Sequence, residues 1–219
     1  QRKLASVNDL PSQTFFVPMT ENELYYDMFQ KINNQVAKPP VVSMLAISVS
    51  TDKTVIWYDH WEDGFDVDVT KSNSTTTEIW GDGNSANGCN PDIENCTDAD
   101  DYLYSGDSIV IENAIPVPRD ASHIFYDGGD RVQASFPITM TRGAFPDDPG
   151  SLMAGGVEVR DITSWGTIYE APVGEIIGLT FAAFQFSGFF FMAGEDNTVV
   201  TLPNSTHITL HQGQSFSIH

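Results

Sequence analysis

The sequence predicts an all-β protein: an antiparallel β-sandwich or jelly-roll-like domain with one short N-terminal helix and a long loop insertion. Three observations point there. From Val41 onward, short runs rich in valine, isoleucine, phenylalanine and threonine recur, separated by turn residues such as Asp127-Gly128-Gly129-Asp130 and Gly194-Glu195-Asp196-Asn197. Only one stretch carries a helical period. The 219 residues, 41% hydrophobic and 11% aromatic, suffice for one sizeable core and exclude a disordered chain.

Residues 1–13, QRKLASVNDLPSQ, have no period and read as an arm; residues 14–219 read as a single domain. Residues 14–19 (TFFVPM) form the first expected strand, which Pro18 marks as an edge or an end. The helix follows. Thr20 and Glu23 have the spacing of a capping box, and Leu24, Met28 and Ile32 repeat every four residues until Asn33-Asn34 and Pro39-Pro40 stop them. Strands are then expected at residues 41–49, 54–58, 65–70, 108–112, 131–141, 152–160, 176–181, 184–192, 198–202, 207–210 and 215–218. Residues 176–194 lack charge and are long enough to cross a bilayer. Thr180, Gln185, Ser187 and alternating phenylalanines about Ser187-Gly188 favour two buried strands at a bend, so no membrane insertion is expected. An Asp-x-Thr-Val turn at Asp52 recurs at Asp196, and Gly-x-Ser at Gly106 recurs at Gly213. The echo suggests two β-units, the first carrying an acidic insertion over residues 59–104.

Thirty Asp and Glu residues face ten Lys and Arg, for a formal charge of -20. Such a surface repels nucleic acid and anionic membranes. It suits an extracellular setting, where salt screens repulsion and divalent cations bridge carboxylates. Cys89 and Cys96 form neither a C-x-x-C motif nor a zinc pattern; a local disulfide is expected, two buried thiols being the alternative. Sequons for N-linked glycans stand at Asn73, Asn95 and Asn204.

The densest chemistry lies in residues 57–69, WYDHWEDGFDVDV. Asp66 and Asp68 would share one face of a strand, with Asp59, Glu62 and Asp63 in the turn before it. Asp59, Glu62, Asp63 and Asp66 are therefore candidate Ca²⁺ ligands, with Asp98, Asp100 and Asp101 as possible helpers, since Ca²⁺ takes six to eight hard oxygens. His60 with Glu62 or Asp63 offers an acid–base pair. No nucleophile elbow, H-E-x-x-H or phosphate-binding loop accompanies it, so no enzyme is expected.

Tyr58-Asp59-His60-Trp61-Glu62-Asp63-Gly64 resembles a Y-D-H-W-E-D-G domain of large secreted and cell-surface proteins of bacteria and microalgae. The likeness continues through Ile79-Trp80-Gly81-Asp82-Gly83, Tyr126-Asp127-Gly128-Gly129-Asp130 and Tyr169-Glu170-Ala171-Pro172-Val173-Gly174. The closing segments around Glu195 and Leu210 are similar to IgG-Fc-binding-protein N-terminal-like adhesion domains. The resemblance implies an extracellular location and β architecture, and brings no catalytic residues with it. The expected function is a structural extracellular glycoprotein, a subunit of a surface layer or fibre. It would polymerise with itself head-to-tail through its N-terminal arm, Phe15, Phe16 and Val17 completing a neighbour's sheet. The alternative is a Ca²⁺-assisted carbohydrate-binding or adhesion module, with Trp61 or Trp80 as a sugar platform.

Overall fold

A computed structural model describes residues 10–30, 39–72, 74–147, 155–170 and 188–218. Twelve strands occur among them: β1 (Gln13–Phe16), β2 (Val41–Val49), β3 (Ile56–Asp59), β4 (Thr77–Trp80), β5 (Ser108–Ile115), β6 (Arg131–Ala134), β7 (Ile138–Pro146), β8 (Gly155–Val159), β9 (Phe189–Met192), β10 (Thr198–Thr201), β11 (His207–Leu210) and β12 (Ser215–Ile218). All pairings are antiparallel. One sheet has the order β1-β6-β3-β4 and a second β5-β2-β7-β8; β10 pairs with β11, and β9 with β12. No helix among the described residues is long and apolar enough to cross a membrane. The apolar stretch at 176–194 falls largely outside the described residues; its last part forms β9.

Period-two alternation builds the core. In β2, Val41, Ser43, Leu45, Ile47 and Val49 turn inward. One buried cluster collects Leu45, Ile47, Ile109 and Met140 from the second sheet with Phe15, Ile56, Tyr58, Trp80 and Val132 from the first. The capping box forms as the sequence predicts: the Glu23 amide donates to Thr20 Oγ1 and the Thr20 amide to Glu23. After one turn, α1 (Glu21–Glu23) widens into a π-helical stretch, Leu24–Phe29. That wider turn lets Leu24 and Phe29, five residues apart, enter the same buried cluster with Tyr25 and Val41.

Three expectations need correction. No strand forms at 65–70. Asp68 instead caps a 3₁₀ turn, Val69–Lys71, by accepting from the Thr70 amide, and Val67 is fully exposed. Local side-chain bonds to the backbone replace the ladder here. The segment 131–141 is not one strand but two, broken before Ile138, so that β6 and β7 lie in different sheets. The acidic insertion is not all loop, because it supplies β4 as an edge of the first sheet.

Candidate functional site

Strand register brings the two most distinctive motifs together. Tyr58 faces Val132, and Asp59 faces Arg131, so the turn leaving β3 and the turn entering β6 run side by side. On the other flank of β3, Tyr58 faces Glu78 of β4. Tyr58-Asp59-His60-Trp61-Glu62-Asp63-Gly64 and Asp127-Gly128-Gly129-Asp130 therefore interlock.

Asp130 is the hub. Its fully buried carboxylate accepts from the Tyr58 hydroxyl (2.8 Å), the Asp127 amide (2.9 Å) and the Trp61 amide (3.2 Å). His60, 1% exposed, places Nδ1 3.4 Å from Asp130 Oδ2 and 2.9 Å from the Phe125 carbonyl. A carbonyl only accepts, so Nδ1 carries a proton. Nε2 lies 3.9 Å from Glu78 Oε1. Burial opposes charge on the ring, but the two flanking carboxylates outweigh it and raise the His60 pKa to about 10. Glu78 is pushed up by burial and more strongly down by His60, by the Trp80 indole N–H (2.9 Å) and by the Tyr126 hydroxyl, so its net shift is downward. The result is a buried carboxylate–imidazolium–carboxylate row, walled by Tyr58, Trp80 and Tyr126 with ring centroids 5.0–6.1 Å apart.

A second row runs toward the helix. Asp127 accepts from Trp61 Nε1 (2.8 Å) and pairs with Arg119 (2.9 Å), whose guanidinium lies 4.3 Å over the Trp61 ring. Arg119 also lies 3.8 Å from Glu21, which pairs with Arg142 at 2.7 Å; Glu21 and Arg142 are both fully buried. Arg142 donates further to the Pro18 and Met19 carbonyls and to Ser43. Burial, then the charges of Asp130 and Glu21, raise the Asp127 carboxyl to about 8 against the pull of Arg119. Gly128 must be glycine because an added Cβ would sit 2.4 Å from the Met19 carbonyl oxygen.

The four carboxylates expected to share a calcium ion do not converge. Asp59 pairs with Arg131 and accepts from the Asp66 amide and the Thr77 hydroxyl. Asp63 accepts from the hydroxyls of Ser74 and Thr76, and Asp66 from those of Ser72 and Thr77. Only Glu62 joins a group able to hold a metal, His60-Glu62-Asp130, the one such group among the described residues. An imidazole is a poor calcium ligand, and the group offers only two carboxylates, so the set does not fit Ca²⁺. Asp98 and Asp100 accept from Ser85 and Thr97, and buried Asp101 accepts from the Gly81, Gly83 and Asn84 amides. These carboxylates shape turns.

Cys89 and Cys96 are joined as a disulfide, as the sequence predicts. Asn95 and Asn204 are exposed, while Asn73 lies outside the described residues. Phe15, Phe16 and Val17 are at most 2% exposed, and β1 pairs with β6 of its own chain. The arm therefore ends before β1, and these three residues build the core rather than reach a neighbour. Neither indole is a free platform: Trp80 is fully buried and stacked on Tyr58, and Trp61 is covered by Arg119 and Gly129. Sequence reasoning missed Glu21, Arg119 and Arg142. Arg142 was legible, because in β7 it occupies the inward position between Met140 and Ala144, where a charge demands a partner. No family model matches the chain, and no curated protein or solved structure is significantly similar to it.

Proposed function

We propose that this chain is a non-catalytic structural module of a secreted or cell-surface assembly. One observation carries that reading: its most reactive groups are turned on one another. His60, Asp130, Asp127 and Glu21 are all buried, and each is held by a partner of the same chain. Such a site fixes geometry instead of meeting a substrate, since a general acid or base must reach the proton it moves. The disulfide suits an oxidising compartment, and the charge of -20 suits a salty exterior. The common core beneath the two four-stranded sheets supports a sandwich. Glycans on exposed Asn95 and Asn204 would make the module a glycoprotein. Assembly runs head-to-tail through the arm, which ends before Gln13. Sedimentation velocity of the whole 219-residue chain against one beginning at Gln13, which keeps β1 intact, in physiological salt, tests this. Concentration-dependent growth of the full chain alone is the expected result; two identical monomers overturn the assembly reading.

A further inference from the structure

A groove of about 740 Å³ opens beside β4, lined by Thr70, Ser72, Ser74, Thr77, Asn87 and Tyr126 among others. Apart from exposed Thr75, its donor side chains are largely committed already. Thr70 donates to Asp68, Ser72 to Asp66, Ser74 to Asp63, and Thr77 to Asp59 and Asp66. Tyr126 donates to Glu78, and Asn87 Nδ2 to Asp82. What these groups still offer is oxygen lone pairs. Asn87 Oδ1 is buried and has no hydrogen-bond partner. Glu78 adds a carboxylate with the His60 imidazolium behind it. Lys71, the groove's own cation, is paired with Asp68. An acceptor-lined, carboxylate-ringed groove fits a cationic ligand rich in donors. Among the described residues its acceptors form no metal-holding cluster, which favours a guanidinium or ammonium on a peptide over a metal ion.

We propose that this groove docks the Arg2-Lys3 pair of a second copy of the chain, a contact that rests on the head-to-tail reading above. Arg2 and Lys3 are the only adjacent cations in the sequence, and Arg119, Arg131 and Arg142 are committed to carboxylates of their own chain. The arm leads into β1, and the groove lies at β4, at opposite edges of one sheet. An arm entering the groove of the next copy thus joins two different surfaces, the geometry of a ring or fibre.

The test is fluorescence anisotropy of a labelled synthetic peptide of residues 1–12, titrated with the 219-residue chain produced without glycans. Saturable binding is expected. It should weaken about tenfold or more when Arg2 and Lys3 of the peptide are replaced by glutamine, and fall with salt. Ala86→Lys in the chain should weaken it likewise, since Ala86 is exposed on the groove wall and the change places a competing cation there. Absence of saturable binding, or equal binding by the neutral peptide or by the Ala86→Lys chain, overturns the proposal. Sedimentation separates the two readings: a monomeric full chain that still binds the peptide sinks assembly alone, whereas a polymer indifferent to Ala86→Lys sinks the groove alone.

Discussion

Replacing Asp130 by asparagine removes one charge from a fully buried site, and the consequences follow from its partners. The Tyr58 hydroxyl, the Asp127 amide and the Trp61 amide all donate to this carboxylate, and His60 rests its charge against it. Asparagine offers one acceptor oxygen where two were used, and its NH₂ meets donors. Breaking a buried ion pair by removing one partner costs about 3–5 kcal/mol. Proton linkage gives a consistent figure: raising His60 from 6.5 to about 10 corresponds to about 5 kcal/mol at most, shared between Asp130 and Glu78. The expected loss for Asp130→Asn is therefore about 3 kcal/mol, a large part of a domain's usual 5–15 kcal/mol. The sign with pH is fixed as well. A histidine whose folded pKa lies above its unfolded one contributes fully below pH 6.5, and that contribution is lost as pH rises through about 10. Asp127, raised from 3.8 to about 8, acts with the same sign over a lower window. Urea unfolding followed by tryptophan fluorescence at pH 6 and pH 9.5 measures both effects. The wild type should be less stable at the higher pH, and Asp130→Asn should flatten that difference. A variant within about 1 kcal/mol of the wild type, with the pH dependence intact, would show that Asp130 does not organise the site.

Three further outcomes are expected. Gly128→Ala drives a methyl into the Met19 carbonyl and should destabilise by about 2–3 kcal/mol in the same assay; a neutral effect would mean that the two turns are not locked together. Reduction of Cys89–Cys96 should remove about 2–3 kcal/mol of loop-closure stabilisation, read as a fall in melting temperature that Cys89→Ser/Cys96→Ser reproduces. Arg142→Met strands Glu21 next to Arg119 alone and should cost about 3–5 kcal/mol, whereas Glu21→Leu with Arg142→Met together should cost less than the sum of the two single changes.

The strands were legible where one rule governed them. Alternation alone set β2 and β5, in which every second side chain turns inward whatever lies nearby. Residues 65–70 alternate equally well and form no strand, because Asp66 and Asp68 find backbone and hydroxyl partners within a few residues. Short-range hydrogen bonds of that kind leave no periodic signature. β4 was hidden for the opposite reason: Thr77–Trp80 holds too few residues to show a period, and it is fixed by its register with β3.

The candidate site shows the same division. Motif density marked Tyr58, Asp59 and His60, and turn chemistry marked Asp127 and Asp130, but nothing in either motif announces the other. Their joining depends on β3 pairing with β6, a contact more than seventy residues long in sequence. Reading 57–69 alone makes its carboxylates look unsatisfied and suggests a cation from outside. The fold supplies cations from within: Arg131 for Asp59 through strand register, and the His60 ring for Asp130 and Glu78 across two turns. Arg119 and Arg142 do the same for Asp127 and Glu21. Drawing these arginines inward has an outward consequence. Each one buried against a carboxylate is a cation the surface lacks, so among the described residues exposed acidic residues such as Asp98, Asp100 and Asp120 outnumber the exposed cations Lys53, Lys71 and Arg160. A surface of that sign cannot bind a like copy through its bare faces without positive groups. It can do so through a segment that carries them, and Arg2-Lys3 is the one place in the sequence where two stand together. The ion pairs that rigidify the interior and the charge pattern that would select the partner thus follow from one allocation of ten basic residues.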